Sequence, residues 1–538
     1  MSTGTATPKL PDTRPGRGSE AAGRDSFAHV LWAEWTKFRT VRGWMIGMGV
    51  AGLLTVLIGY LSAAGSQTGC GAGPCHFNVP VGPGGEAVTD SLYFVHRQLA
   101  GNGAITARVT SLTGELPTAS GGRVRAGQGV PGLRPGLDPW SKAGIIIKAS
   151  TRQGSAYAAV IVTGDHGVRM QYDYTQDIAG PPGRPSAAAP RWLRLTRSGD
   201  TITGYESADG THWTRIGTAT LAGLPATVQA GLFATSPAYS LMTSQGIVGV
   251  SDTGGPTVAT GVFDHVGLSG GWPAGGWRGD EIGGGPGSFY PVEGGGYHQL
   301  RGAFTVTGSG DIAPDTDGGP SPGSSIQFAL VGTFFGLIAV VVVGTLFSTA
   351  EYRRGLIRTT LAASPRRGRV LAAKAIVIGA AAFVAGLVAA IIAIPLATRV
   401  SHNNGNYIYP VSALTEVRLV VGTAAVLAVV AVLAMAVGAA LRRSAIAVTV
   451  VILVIVLPYL ISVTNLLSLS GDQWLLRLAP VAGFSIQQAI PNYPQVSHAC
   501  SPAGGCYPLA PWAGFAVLCA WAAAALALAV VLLRRRDA

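Results

Sequence analysis

Charge is scarce in this sequence, because Asp, Glu, Lys and Arg together make up 12% of its 538 residues. Lysine is especially rare, and none of the few lysines follows a glycine. The chain therefore has no GxxxxGK[ST] loop, the Walker A segment whose backbone amides hold nucleotide phosphates. If the protein uses ATP, another chain must bind it.

What the sequence has in quantity is long uncharged runs. Each of six runs has about twenty or more residues, enough to cross a hydrocarbon core of roughly 30 Å as a helix. Five follow Ser325 and one lies near the N-terminus, so they enclose a polar block of residues 65–325. The six predicted spans are Trp44–Ala64, Ile326–Ala350, Ala375–Thr398, Leu419–Leu441, Ser444–Asn465 and Pro511–Leu533.

Basic residues near the span ends predict the orientation, because Lys and Arg beside a span stay in the cytoplasm. Six spans put both termini on one side, and the basic residues collect there, in residues 37–42, 351–374, 442–443 and the tail 534–538. We therefore expect a cell (plasma) membrane protein with cytoplasmic termini, a disordered tail over residues 1–24 and residues 65–325 outside.

Cysteine placement agrees with this orientation. Disulfides persist in oxidising compartments, and two closely spaced pairs fall on the predicted outer side. We predict the disulfides Cys70–Cys75 and Cys500–Cys506, with a metal site as the alternative, and Cys519 is left unpaired inside the sixth span.

The net charge of +12 does not indicate nucleic-acid binding. Residues 65–325 carry 16 basic and 18 acidic residues, so the whole excess belongs to the membrane and cytoplasmic parts. Topology and lipid headgroups explain such a distribution.

Residues 25–43 show apolar positions at helical spacing and predict an amphipathic helix at the inner membrane surface. Glu34 falls within its apolar stripe, where a charge needs a partner. Pairing with Lys37 is the simpler expectation, and contact with a basic loop or a partner protein is the alternative. Trp35 belongs to the apolar stripe, and Trp32, Lys37 and Arg39 lie on its flanks. A cleaved signal peptide is disfavoured, because the preceding segment and the apolar run are both too long.

The segment 351–374 is the most informative cytoplasmic region. An acidic residue, a glycine, a proline, arginines and a lysine recur in an order that resembles the permease subunits of type-two ATP-binding cassette exporters. The residues concerned are Glu351, Arg353, Arg354, Gly355, Arg358, Pro365, Arg366, Arg367, Arg369 and Lys374. Residues 33–40 look like the opening of the same family.

This resemblance implies a coupling role for the segment 351–374. A short helix there, ended before Pro365, would dock on a separate ATPase and transmit its motion to the spans. A basic loop that only meets lipid headgroups is the alternative. The resemblance further implies a permease dimer, with ATP and Mg in the partner subunit and no cofactor in this chain. It also implies short helices in the outer loop 466–510.

The outer block reads as an all-β domain. Several segments show β-branched content or strict alternation, at spacings typical of a sandwich. Over residues 86–269 the succession of strands resembles the concanavalin-A-like lectin and glucanase jelly roll. No Glu-x-Asp-x-Glu pattern occurs, so we expect no catalytic site. Trp140, Trp192 and Trp213 are candidate ligand-facing aromatics, although core or edge positions are the simpler interpretation.

Two function classes remain. The first is the membrane subunit of an ATP-driven exporter, with the outer jelly roll binding or gating cargo. The second is a glycan- or cell-wall-binding sensor or adhesion protein, anchored by its spans. Five further spans exceed what an anchor needs, so the sequence favours the exporter.

Overall fold

The computed structural model describes residues 27–66, 69–70, 73–74, 79–117, 133–244, 250–283, 295–316, 323–353, 366–464, 466–467, 469–496 and 502–535. Within them, six helices are long and apolar enough to cross a membrane, which agrees with the six spans expected from the sequence. Their Ala-, Val- and Leu-rich stretches suit lipid, because a helix satisfies all of its backbone groups internally.

The helices lie at both ends of the chain. The α-helices are α1 (Phe27–Thr40), α2 (Arg42–Gly65), α3 (Thr333–Arg353), α4 (Arg367–Asn403), α5 (Ala413–Leu441), α6 (Ser444–Val463), α7 (Leu469–Leu478) and α8 (Pro511–Arg535). Short 3-10 helices cover Ile326–Leu330, Pro480–Gln487 and Pro502–Gly504. Of the eight α-helices in the described residues, all but α1 and α7 are long enough to cross a membrane. Residues 466–510 contain two short helices of the expected kind, α7 and the 3-10 helix Pro480–Gln487.

α3 and α5 form the centre of the bundle. Both are largely buried, whereas most of the surface of α2, α6 and α8 faces outward. Val340, Phe347, Val430 and Ala434 belong to one continuous core that these helices share. Small residues allow close approach between helices, as at Gly344, where a Cβ would lie 2.8 Å from the carbonyl oxygen of Ala431.

The predicted loop 351–374 is shorter than the sequence suggested. α3 continues to Arg353, and α4 begins at Arg367, so Lys374 lies two turns inside a helix. Helix can include these charged residues because Glu351 and Lys374 are paired with each other. Residues 354–365, with most of the predicted coupling helix, lie outside the described residues.

Between α2 and α3 the chain is built from strands. They are β1 (Gly69–Cys70), β2 (Gly73–Pro74), β3 (Val88–Asp90), β4 (Leu92–Ala100), β5 (Gly103–Pro117), β6 (Leu133–Pro135), β7 (Lys142–Lys148), β8 (Tyr157–Thr163), β9 (Val168–Tyr172), β10 (Gln176–Ala179), β11 (Arg191–Ser198), β12 (Thr201–Ser207), β13 (Thr214–Thr220), β14 (Thr227–Thr235), β15 (Tyr239–Ser244), β16 (Val250–Gly255), β17 (Val258–Gly270), β18 (Arg278–Ile282), β19 (Gly296–Leu300), β20 (Ala303–Gly308), β21 (Ile312–Pro314) and β22 (Gly323–Ser324). β23 (Tyr407–Ile408) lies in the loop between α4 and α5.

Two antiparallel sheets dominate this β domain. One has the strand order β10-β9-β8-β7-β14-β4-β18, and the other has the order β13-β12-β11-β5-β17-β20-β19, with β6 beside β5. Their facing side chains form one core, to which Val95 and Ile145 contribute from the first sheet and Ile105 and Leu193 from the second. Alternation along each strand produces this arrangement, since every second side chain points inward.

The first sheet also buries ionic groups on its other face. Lys148 is fully buried, and its Nζ lies 2.7 Å from Oδ2 of Asp90. Tyr174 donates its hydroxyl proton to the same oxygen over 2.7 Å. Burial lowers the pKa of Lys148 even though Asp90 opposes the shift. A second buried pair joins Lys142 to Asp311 at 2.5 Å.

The β domain is seated directly on one end of the helix bundle. β22 pairs in parallel with β23, and the amide of Tyr409 donates to the carbonyl oxygen of Ser324 over 3.0 Å. Gln495, from the loop before α8, is buried and donates its amide to the carbonyl oxygens of Tyr174 and Thr175, over 3.3 and 3.1 Å. The bundle and the β domain therefore share hydrogen bonds as well as chain connections.

Candidate functional site

A cluster of four charged side chains lies at the opposite end of the bundle from the β domain. Lys374 Nζ is 2.7 Å from Glu34 Oε2 and 2.7 Å from Glu351 Oε1. Lys37 Nζ is 2.8 Å from Glu34 Oε1 and 3.1 Å from Glu351 Oε1. We call Glu34, Lys37, Glu351 and Lys374 the inner ion cluster. It joins α1, the last turn of α3 and the second turn of α4.

Burial makes this cluster unlike an ordinary surface ion pair. The side chains of Glu34, Glu351 and Lys374 are 2%, 9% and 5% exposed, whereas that of Lys37 is 40% exposed. Burial works against the charged form of Lys37, but the hydrogen bonds and charges of Glu34 and Glu351 outweigh it and raise the pKa of Lys37. Two carboxylates and two ammonium groups balance, so no charge is left uncompensated.

Aromatic side chains pack below the cluster. Lys374 Nζ lies 4.8 Å from the ring centre of Phe347, a cation–π distance. Phe347 in turn makes edge contacts with Phe38 at 5.8 Å and with Trp44 at 5.0 Å. α1 is thereby fixed to the spanning helices both by ion pairs and by ring packing.

Sequence reasoning anticipated half of this arrangement. The expected bond of Glu34 to Lys37 is present, and Glu34 also binds Lys374, a member of the predicted coupling segment. This second bond agrees with the alternative expectation, contact of Glu34 with the basic loop, although the sequence did not single out Lys374, which is 340 residues away. Trp32 and Arg39 are exposed, as expected for the outer face of an interface helix, while Trp35 also borders a groove between helices.

The remaining predicted coupling residues divide into two groups. Arg366 is exposed at the start of α4, and Arg367 donates to the carbonyl oxygen of Leu533 over 2.5 Å, which ties α4 to the end of α8. Arg369 lies in the first turn of α4. The side chain of Arg353 is not described, and Arg354, Gly355, Arg358 and Pro365 lie outside the described residues.

The turn between α5 and α6 meets the same end of the bundle. Arg442 has a φ of 58°, which lets it end α5 in a left-handed conformation. Its guanidinium lies 5.1 Å from the ring centre of Tyr352, next to Glu351. The ends of α3, α4, α5 and α8 are thus linked around the inner ion cluster.

Comparison with known families identifies the chain from β12 onward, including five of the six helices of spanning length. Residues 202–538, more than half of the chain, match the model of the ABC-2 family transporter proteins. The chain belongs to the ABC-2 transporter family. This membership makes it a membrane transport component of the kind that works with an ATP-binding cassette ATPase. No curated protein matches the chain.

Several solved structures resemble part of this ABC-2 family member, each of them weakly. A functionally unknown protein from Saccharomyces cerevisiae has 14% identity and a TM-score of 0.22, over 38% of this chain and 85% of that chain. Scytalido-glutamic peptidase has 8% identity and a TM-score of 0.24, over 42% and 100%. The GH43 protein BlXynB from Bacillus licheniformis has 15% identity and a TM-score of 0.17, over 25% and 24%. Such low scores carry no conclusion about activity.

The β-domain end of this transport component carries a second polar group of buried side chains. Gln487, at the end of the buried 3-10 helix, donates to the hydroxyl oxygens of Thr423 over 2.9 Å and Thr333 over 3.2 Å. Gln327 accepts the amide proton of Ala489 over 2.6 Å. A small cavity of about 70 Å³ adjoins Gln327 and Gln487. These bonds fix the loop between α7 and α8 inside the bundle.

The predicted ligand-facing aromatics of the β domain occupy different environments. Trp140 is buried and stacks on His166 at 3.9 Å, so it is not available to a ligand. Trp140 lies in the turn before β7, and the guanidinium of Arg169 lies 5.5 Å from its ring centre. Trp192 and Trp213 are half-buried on the outward face of the second sheet.

Arginines accompany these two rings. Arg194 lies 3.8 Å from the ring centre of Trp213, and Arg108 lies 5.5 Å from that of Trp192. Arg108 also forms a bidentate pair with Asp264 at 2.7 and 2.6 Å, and these hydrogen bonds lower the pKa of Asp264. We call Arg108, Trp192, Arg194 and Trp213 the aromatic–arginine face.

The cysteine predictions fall mainly on undescribed positions. Cys75 and Cys500 lie outside the described residues, and the side chain of Cys70 on β1 is not described. Cys506 is disulfide-bonded, but the cysteine across that bond is not among the described residues. Both pairings therefore stay predictions. Cys519 is free and lies within α8. No group of metal-ligating side chains occurs in the described part of the chain.

Proposed function

We propose that this chain is the permease subunit of an ATP-driven exporter, coupled to a separate ATPase through residues 351–374. The inner ion cluster is the observation that carries the proposal. Residues 354–366 connect Arg353 at the end of α3 to Arg367 at the start of α4, and the cluster ties these two helix ends to α1. A displacement of the connecting segment would therefore move three helices together.

Burial explains why such a connection would be stiff. Separating Lys374 from Glu34 or Glu351 leaves an unpaired charge in a buried site, which costs several kcal/mol. The cluster should therefore move as a unit rather than deform. Coupling through a rigid element with two positions is what transmission between distant sites requires.

One acceptor of the cluster is still open. Oε2 of Glu351 is buried and has no hydrogen-bond partner among the described residues. A buried carboxylate oxygen without a donor is unfavourable. An arginine from residues 354–365 or from the ATPase subunit would satisfy it, and this would link partner docking to the cluster.

Charge reversal on the connecting segment tests the proposal. Arg358→Glu combined with Arg366→Glu should abolish co-purification with the ATPase, or stimulation of its ATP hydrolysis, while the protein still inserts. Neither position belongs to the inner ion cluster.

The matched control reverses two arginines elsewhere at the same end of the bundle. Arg443 is exposed in the turn before α6, and Arg534 lies in the last turn of α8. Arg443→Glu with Arg534→Glu makes an equal change of charge and should leave partner binding intact. Equal loss in both double variants would mean that general basicity binds the partner, and the coupling role would be rejected.

For the β domain we propose a role in binding or gating cargo outside the cell, with a cell-envelope glycan as its ligand. The aromatic–arginine face supports it, because Trp rings and Arg guanidinium groups are enriched among the side chains that anchor a bound partner. Trp192→Ala with Trp213→Ala should weaken retention of cell-envelope glycan on the purified protein. Trp272→Ala, at a partly buried ring outside this face, is the control. Unchanged glycan retention in the double variant Trp192→Ala with Trp213→Ala would refute this role of the β domain.

A further inference from the structure

An apolar groove of about 600 Å³ opens between α2 and α4 beside the inner ion cluster. Trp35 and Phe38 of α1 line its mouth, and Val56 and Ile392 mark its far end. Its walls contain no charged side chain among the described residues. The groove exists because Gly49 and Gly52 face it from α2: a Cβ at Gly49 would meet nothing within 4 Å, and at Gly52 the nearest atom would be 3.6 Å away.

The length of the groove matches one leaflet of a bilayer. From Met45 to Val56 a helix advances about 16 Å at 1.5 Å per residue. This is about half of the roughly 30 Å hydrocarbon core. A spanning helix from a second copy of the chain would contact the surface along its whole length, whereas a lipid tail reaches only to the middle of the membrane.

The mouth of the groove is basic. Arg39 lies one helical turn after Trp35 on α1, and Arg42 lies three residues before Met45 on α2, so each arginine shares a face with a lining residue. Both arginines are exposed. In the described residues neither has a carboxylate within ion-pair distance, whereas Lys37 beside them is engaged by Glu34 and Glu351.

We propose that the groove binds one acyl chain of an anionic phospholipid from the leaflet that borders the inner ion cluster, with the phosphate of its headgroup at Arg39 and Arg42. Lipid tails are as apolar as the walls, so packing in the groove holds the tail and the arginines select the headgroup. The tail contacts Phe38, which packs on Phe347 under Lys374. The bound lipid thereby supports the packing of α1 against the cluster. This inference does not depend on the ATPase coupling.

Native mass spectrometry of the delipidated full chain tests the site, with phosphatidylglycerol and phosphatidylcholine of identical tails as probes. The wild type should retain one phosphatidylglycerol per chain in preference to phosphatidylcholine. Gly49→Leu with Gly52→Leu fills the groove and should abolish that retention. Gly43→Leu adds the same side chain where a Cβ meets nothing within 4 Å, outside the groove, and should retain the lipid.

Two further variants test the contribution of Arg39 and Arg42 to headgroup binding. Arg39→Gln and Arg42→Gln should each reduce the preference for phosphatidylglycerol about fivefold, since one basic residue near a membrane surface contributes about 1 kcal/mol. Tail retention should persist in both. If filling the groove leaves lipid retention unchanged, or if it converts a dimer to a monomer without changing lipid per chain, the groove is not a lipid site and the proposal fails.

A second measurement covers the case in which the filled variant does not fold. A phosphatidylglycerol with a photoreactive group in its tail, added to wild-type protein in nanodiscs, should label residues 45–56 and 380–392. Labelling should exceed that of residues 450–457 on α6, where Val450, Leu453 and Leu457 are also exposed. Equal labelling of both regions would show ordinary bilayer contact only and would overturn the site.

Discussion

Removing Lys374 should destabilise the helix bundle far more than removing Lys37, although both lysines bind the same two carboxylates. Lys374→Met leaves Glu34 and Glu351 buried with one partly exposed cation between them. Loss of one partner from a buried ion pair costs about 3–5 kcal/mol. Lys37 is 40% exposed, so water replaces much of its interaction, and Lys37→Met should cost about 1 kcal/mol or less.

A compensating variant separates charge imbalance from lost packing. Adding Glu351→Leu to Lys374→Met removes one charge of each sign and leaves the Glu34–Lys37 pair intact. Apolar replacement of a balanced buried pair is often neutral, so at least half of the lost stability should return.

Equilibrium unfolding in mixed micelles at graded fractions of dodecyl sulfate measures all three variants, with pulse proteolysis reporting the folded fraction. The expected order of stability is wild type, Lys37→Met, the double variant and Lys374→Met. Equal losses for the two single lysine variants, or a double variant less stable than Lys374→Met, would refute the buried, balanced cluster.

Three further predictions concern the β domain, its contact with the helix bundle, and the disulfides. Burial and the nearby Arg169 lower the pKa of His166 below its usual 6.5, so the unfolded chain takes up a proton first as pH falls, and the folded β domain loses stability. The protection factors of amides around β9, corrected for the slower intrinsic exchange at low pH, should therefore fall between pH 7 and 5, and His166→Phe should lessen this fall. Gln495→Ala leaves two carbonyl oxygens without their donor and should speed exchange at residues 174–175 about fivefold, whereas the exposed Gln176→Ala should not. Non-reducing peptide mapping should recover the two disulfides Cys70–Cys75 and Cys500–Cys506. Recovery of these four cysteines as free thiols would disprove both bonds.

The elements that the sequence predicted well are those with a local signal. Uncharged runs located all six spans because a lipid-crossing helix needs an unbroken apolar stretch. Alternation located strands such as β5 and β11, since it reflects one buried face. The helix bounds in the structure differ from the predicted bounds where the burial of a residue depends on partners distant in sequence. α4, for example, extends to Arg367 because the charge of Lys374 is balanced by residues of α1 and α3.

Contacts between distant segments had no sequence signal. Glu34 was expected to bind Lys37, one turn away, or the basic loop, but which residue of that loop it binds depends on how α1 packs against α4. The hydrogen bond from Gln495 to the carbonyl oxygen of Tyr174 and the groove beside Gly52 arise in the same way. Each requires two surfaces that only the folded chain brings together, and neither periodicity nor spacing within one segment encodes it.

Position in the cluster also determines which variants are informative. Exchanging Glu351 with a neighbouring arginine would appear to preserve net charge, but it would place a third cation beside Lys37 and Lys374. The resulting loss of ATPase binding could then reflect a damaged bundle. Coupling is better tested from residues outside the inner ion cluster.

Site-specific photocrosslinking tests the central claim, that residues 351–374 meet the ATPase, most directly. A photoreactive amino acid at Leu361 should crosslink this chain, in native membranes, to a protein with a Walker A motif. The same amino acid at the exposed Ala445, in the first turn of α6 at the same end of the bundle, should give little of that product. No crosslink from position 361, or equal yields from both positions, would contradict the coupling role.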